Sequence, residues 1–319
     1  MPVAADENKP DGRLKTEIVD VRCIGDAAPH NAFTDLVWHD GRWFCVFREG
    51  QAHVSPDGAI RVITSSDGEK WESAALIRSD TSDLRDPKIT VTPDGRLMLS
   101  AAEAVNEPKG HTHQSLVWFS RDGHKWGERV EVGDADYWLW RVVWHKDTAY
   151  AVGYGCRDDI QNVRLYTSGD GRKFETLVKN LHDEGYPNET SLVFDADDTC
   201  RCLLRRDGEP NSALLGASSP PYEKWEWKDL KARIGGPRMM RIPSGDLIAV
   251  VRLYDGGTRT AICQIDAQAG TLRELAKLPS GGDTSYAGMV WHDERLWISY
   301  YSSHEGKTSI YLAQVRFAQ

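Results

Sequence analysis

Short apolar runs of strand length, each closed by tight-turn residues, alternate along the whole chain. No stretch carries the 3.6-residue periodicity of an amphipathic helix. One recurring unit is a run, a turn and a second run. It reads Leu36-Val37-Trp38-His39-Asp40-Gly41-Arg42-Trp43, then Val91-Thr92-Pro93-Asp94-Gly95-Arg96-Leu97, and near the end Met289-Val290-Trp291-His292-Asp293-Glu294-Arg295-Leu296. Related copies at 142–150, 192–202 and 239–247 bring the number to six.

A second unit, S-x-D-G-x-x-W, falls between them. It occurs at Ser65-Ser66-Asp67-Gly68-Glu69-Lys70-Trp71 and at Ser120-Arg121-Asp122-Gly123-His124-Lys125-Trp126. Ser168-Gly169-Asp170-Gly171-Arg172-Lys173-Phe174 is the same with phenylalanine last, and a worn copy runs from Ser218 to Trp225. The serines stand 55, 48 and 50 residues apart, and each copy follows a β-run, at 59–64, 115–119, 163–167 and 213–217. Asp-Gly supplies the positive φ of a tight turn, and the serine and aspartate oxygens can accept its backbone N–H groups. The tryptophan is expected to pack between neighbouring sheets.

Six units of about fifty residues, each with four short strands, account for the chain beyond its start. The spacing predicts an all-β fold, a six-bladed β-propeller of four-stranded antiparallel blades. Two stacked β-sandwiches are the competing architecture, but they would not keep one phase along the whole chain. A tail at 1–15 is expected to precede a single propeller domain at 16–319.

The first strand of each propeller blade lines the axis. Residues just upstream of the six runs therefore converge, and they are Asp35, Asp86, Arg141, Glu189, Arg238 and Tyr286, spaced by 51, 55, 48, 49 and 48. Five are charged, yet each opens a strand that continues apolar. Salt bridges around a solvated channel would explain them blandly. Carboxylates, arginines and a phenol at one mouth also make a site with chemistry in it.

Composition narrows the classes. The net charge of −9 carries no basic footprint for duplex nucleic acid. No apolar run approaches the roughly 20 residues of a membrane helix. The opening segment lacks a basic stretch followed by an apolar one, so no signal peptide is read in it, and compartment stays open. The six cysteines are scattered without a CxxC pair, which favours free thiols over a metal site. No cofactor fingerprint occurs, and neither metal nor cofactor is expected. Twelve tryptophans and 11 tyrosines need many separate packing sites, which a ring of blades provides.

The chain resembles the sialidase (neuraminidase) superfamily. The S-x-D-G-x-x-W turns are similar to that family's aspartate boxes. Pro187-Asn188-Glu189-Thr190-Ser191-Leu192-Val193 resembles its strand bearing the glutamate that activates the nucleophile, and Asp283-Thr284-Ser285-Tyr286-Ala287-Gly288-Met289 resembles the strand of the tyrosine nucleophile. The resemblance further implies substrate arginines at Arg205 or Arg206, at Arg259 or Arg252, and at Arg48. Two positions depart from it. The stretch His30-Asn31-Ala32-Phe33-Thr34-Asp35 lacks the arginine that opens the family's first blade, and His53, with Asp57 four residues on, stands where the family's acid aspartate belongs.

The expectation is an exo-acting glycoside hydrolase on a terminal acidic or deoxy sugar. Tyr286 would be the nucleophile, activated by Glu189, with His53 or Asp57 as acid. Arg48, Arg85, Asp86, Arg141, Arg205, Arg206, Arg238 and Arg259 would contact the carbohydrate. A polysaccharide lyase acting on uronic acids and a non-catalytic glycan- or protein-binding propeller are the alternatives. Carbohydrate is the one partner expected; oligomeric state is open.

Overall fold

The computed structural model describes residues 14–318. Twenty-four strands form six four-stranded antiparallel sheets, and no helix occurs among the described residues. From the axis outward the first blade is β2 (His30–His39), β3 (Arg42–Gly50), β4 (Ala59–Ser65) and β5 (Glu72–Ile77). The next four repeat this order with inner strands β6 (Ser82–Val91), β10 (Tyr137–His145), β14 (Pro187–Phe194) and β18 (Ile234–Arg241). The sixth blade is β22 (Thr284–His292), β23 (Arg295–Ser302) and β24 (Ser309–Ala318), completed at its outer edge by β1 (Lys15–Gly25). Pairing of β1 with β24 joins the two ends of the chain and closes the ring without an unpaired seam. Most of the expected tail lies outside the described residues. Leu14 is already buried in the core, and β1 opens at Lys15.

Both faces of each blade are covered, so alternate residues of one strand serve two interfaces. On β3, Trp43, Cys45 and Phe47 pack toward the sixth blade while Phe44 and Val46 pack toward the second. Six such apolar clusters sit between successive blades around the ring. The cysteines are all unpaired; four are fully buried, whereas Cys23 is exposed.

The S-x-D-G-x-x-W turns join third to fourth strands. In the first, Ser65 Oγ accepts the Gly68 N–H at 2.9 Å, Asp67 Oδ1 accepts those of Glu69 and Lys70 at 2.8 and 2.9 Å, and Trp71 Nε1 donates to Gly68 O at 3.1 Å. The second and third copies repeat the serine and aspartate bonds. In the worn copy Tyr222, at φ 66°, takes the place of the glycine and still receives the Trp225 indole bond at 2.8 Å. Gly68 has φ 74°, and a Cβ there would meet Trp297 at 2.7 Å. Gly68→Ala is expected to cost roughly 2–4 kcal/mol, combining left-handed strain with overpacking. Gly95, at φ 78° with no neighbour within 4 Å, carries the strain alone. Gly95→Ala should cost about 1 kcal/mol. Urea unfolding of the two variants checks the difference.

Candidate active site at the axial mouth

Every inner strand carries a bulge at the same height. Two residues there oppose one on the neighbouring strand. The pairs are Phe33–Thr34, Asp86–Pro87, Trp140–Arg141, Asn188–Glu189, Gly236–Pro237 and Tyr286–Ala287. The first residue has positive φ in four of them: Phe33 (61°), Asp86 (48°), Gly236 (55°) and Tyr286 (54°). Ser285 precedes Tyr286 at φ 90°. Left-handed backbone at non-glycine residues is costly and is held here by the paired strands on either side. It turns side chains that would otherwise alternate between faces toward the axis.

Glu189 and Tyr286 meet across the channel. The Tyr286 hydroxyl donates to Glu189 Oε1 at 2.6 Å. Arg205, opposite the Asn188–Glu189 bulge, places Nη1 2.7 Å from Glu189 Oε2 and 3.1 Å from the tyrosine oxygen. Gly236 N–H donates to Glu189 Oε2 at 2.8 Å, and a Cβ on Gly236 would strike the Tyr286 ring at 2.9 Å. Burial works to raise the Glu189 carboxyl, but Arg205, the tyrosine hydroxyl and the Gly236 amide outweigh it and hold the group below its ordinary value. Burial, with Glu189 adding to it, drives the Tyr286 phenol well above 10. The resting pair is a carboxylate and a neutral phenol.

Aromatic rings wall this pair. Phe33, Trp140 and Tyr301 lie 5.2, 5.7 and 5.8 Å from the Tyr286 ring, and the Arg252 guanidinium lies 5.1 Å over it. Arg252 also donates to Thr284 O and to Tyr301 Oη at 3.1 Å, and pairs with Asp283 Oδ1 at 3.2 Å.

Asp283 organises a second cluster beside Tyr301. Its Oδ2 meets His53 Nδ1 at 2.7 Å and His30 Nε2 at 3.2 Å, and its Oδ1 accepts the Tyr301 hydroxyl at 2.6 Å. Burial opposes ionisation of Asp283, yet these hydrogen bonds hold it far below the usual carboxylate range. His53 is half exposed, and its ring packs edge-on to Phe33 at 5.1 Å. One ligand atom from each of His30, His53 and Asp283 lies within 4.8 Å of the other two, close enough to hold a metal ion. The Arg252 cation on the same carboxylate works against a divalent ion there.

Several expected site residues serve other ends. Arg48 is fully buried; it bonds Asp83 Oδ1 at 2.7 Å, Ala52 O at 2.8 Å and Ser55 O at 3.1 Å. It braces the loop 51–58 that carries His53 and has no exposed surface to offer a ligand. Arg206 braces another loop through Ser212 O and Asp229. Arg259 stands on β20 (Arg259–Asp266), the third strand of the fifth blade, paired with Glu274 Oε2 at 2.6 Å. The arginine beside Tyr286 is Arg252, on the second strand and nearer the axis. Asp57 is exposed, accepts the Gln51 N–H at 3.3 Å, and is held below its ordinary value, the Ser55 hydroxyl contributing most. That state is the wrong one for an acid. Arg85 lies over the Phe33 ring at 5.5 Å, and Asp86 is buried with its Oδ1 unpartnered. Burial raises the Asp86 carboxyl despite Lys88 and Arg85 beside it. Asp35, Arg141 and Arg238 lie one or two residues further along their strands than the Tyr286 slot and form a deeper tier. Asp283, Tyr301, His30 and Phe33 were not anticipated as site residues. Asp283 does stand within the stretch quoted for Tyr286, three positions upstream.

No protein-family profile and no curated protein matches the chain by sequence. Solved structures do match. A protein of unknown function from Dyadobacter fermentans superposes with a TM-score of 0.84 at 17% identity, over 95% of this chain and 100% of that one. An α-L-arabinofuranosidase from Fusarium graminearum gives 0.73 at 15%, covering 95% and 98%. The Trypanosoma rangeli sialidase gives 0.72 at 12%, covering 91% of this chain and 55% of that longer one. At these identities the likeness establishes a shared six-bladed fold. Glycoside hydrolases are among the proteins that have it.

Proposed function

We propose that this propeller is a glycoside hydrolase acting from the end of a glycan on a terminal acidic or deoxy sugar, with Tyr286 as nucleophile. The observation that carries the reading is the 2.6 Å bond from the phenol to Glu189, made inside a ring of aromatic and cationic side chains. As Tyr286 Oη attacks the anomeric carbon, its proton passes to Glu189 Oε1 and the glycosidic C–O bond breaks. A phenol without charge approaches an oxocarbenium-like carbon without repulsion from an acidic substituent on the sugar. His53, held through Nδ1 by Asp283, gives the proton of its other nitrogen to the departing oxygen. It then takes a proton from the water that releases the sugar from Tyr286, and Glu189 returns its proton to the phenolate. Two displacements at one carbon retain configuration, which NMR of the first-formed product checks.

Glu189 acts as the base only when ionised. Its value lies below the ordinary one, so the rate limb due to Glu189 falls away only in acid more extreme than about pH 4.3. Arg205, Arg252 and Arg85 offer the sugar positive charge; Phe33, Trp140 and Tyr301 offer it ring faces and edges.

His53→Gln tests the acid. On aryl glycosides with strongly acidic phenols as leaving groups the rate should fall little. With alkyl or sugar leaving groups it should fall about 10²–10⁴-fold. Equal loss on both series removes His53 from that role. Elimination on a uronic acid would use His53 as base and leave an unsaturated sugar. Ultraviolet absorbance of the products separates the two reactions.

A further inference from the structure

Beneath the Tyr286–Glu189 tier the channel holds more positive than negative charge. The residues that close the bulges of the first, second and fifth blades are Asp35, Lys88 and Arg238, and Arg141 reaches Asp35 from the third. Asp35 Oδ2 is taken up by Arg141 Nη1 at 2.5 Å and by the Ile89 N–H at 2.9 Å. Lys88 is buried, lies 4.9 Å from the Trp140 ring, and donates to the carbonyls of Asp86 and Pro87 at 3.4 and 3.3 Å. Asp86 is the charged neighbour that acts on it most strongly.

Arg238 is left over. Among the described residues its guanidinium has no hydrogen-bond or ion-pair partner, and its Nε is buried, as is the unpartnered Nε of Arg141. Burial pushes Arg238 down to about 9, and Arg141 lowers it further than Asp35 raises it. It is still a cation at neutral pH. Arg238 is partly exposed, so solvent can accept its N–H groups, but solvent supplies no counter-charge beside Arg141, and a half-buried charge without one is costly. Arginine forks suit a small oxyanion or halide better than a lone ammonium does, because they present several donors in one plane.

We propose that the axial channel beneath the reaction tier is a binding site for a small inorganic anion, held between the guanidinium groups of Arg238 and Arg141, with Lys88 adding charge. The site stands apart from the glycosidase reading and needs none of its residues. An anion there would bind side chains from two blades at once, and through Asp35 it would bear on a third.

Thermal unfolding at fixed ionic strength tests it, with chloride or phosphate replacing gluconate. The native chain should gain roughly 2 °C in Tm for each tenfold rise of the bound anion above its dissociation constant. Arg238→Met should lose that gain and, in gluconate, melt no lower than the native chain. An equal response in both proteins, or none to either anion, overturns the proposal. If Arg238→Met does not fold, Lys88→Met is read the same way, with a weakened response expected and an unchanged one counting against the site. Crystals grown in bromide should show its anomalous signal within hydrogen-bonding reach of Arg238 and Arg141. A channel empty of bromide at a concentration that raises Tm also overturns it.

Discussion

Tyr286→Phe is expected to lower kcat on any cleaved glycoside by a factor on the order of 10³ or more, with the protein still folded. The substitution removes one oxygen. Loss of a covalent nucleophile is among the largest single effects known in enzymes, since no neighbouring group can take over the displacement. The surroundings should tolerate it. Glu189 keeps its bonds to Arg205 and the Gly236 N–H, and the Phe33, Trp140 and Tyr301 rings keep their contacts. Stability should change by only about 1 kcal/mol, the net worth of one hydrogen bond. Steady-state kinetics beside a thermal melt separates the two effects. Retained turnover in a folded Tyr286→Phe protein sinks the nucleophile assignment, and an elimination or another catalytic group would then have to carry the reaction.

The largest stability effect is expected at Asp35. Its carboxylate is 1% exposed and faces Arg141 at 2.5 Å, with the Ile89 amide on the same oxygen. Asp35→Ala leaves Arg141 without its counter-charge, in a tier that already holds Arg238 and Lys88. Breaking a buried pair from one side costs about 3–5 kcal/mol. The midpoint of urea unfolding at neutral pH should fall accordingly. The double variant Asp35→Ala, Arg141→Met should recover much of the loss, because the orphaned charge goes with its partner. A double variant no more stable than the single one would mean that the aspartate matters through Ile89 and local packing instead.

Much of the frame was legible. The S-x-D-G-x-x-W turns marked the third-to-fourth strand connections because their bonds are local, made within five residues, and need no distant partner. The run–turn–run units marked every first-to-second strand hairpin for the same reason. Their even spacing fixed the number of blades and brought Glu189 and Tyr286, with the other four slots, to one mouth; the resemblance, not the spacing, singled out that pair.

Other features depended on pairing across blades. The convergent slots were anticipated to within two residues, and one or two residues separate the slot of Tyr286 from the charged side chains beneath it. What sets that offset is a bulge on each inner strand, and no residue type announces a bulge. Phe33, Trp140 and Gly236 share one structural position and have no chemistry in common. Arg48 and Arg252 hold the same position on the second strands of their blades, opposite the residue before the bulge. One is sealed against Asp83 and a loop; the other lies over the Tyr286 ring.

By itself, then, the sequence determined the strands, the turns and the sixfold repeat, since each is written in contacts between near neighbours or in one fixed spacing. The tertiary structure alone decided that Arg252 rather than Arg259 flanks Tyr286, that Asp283 anchors His53, and that Arg238 has no ion-pair partner among the described residues. Those outcomes depend on which strand stands nearer the axis and on where separate loops meet once the ring has closed, and they join residues as many as 230 positions apart.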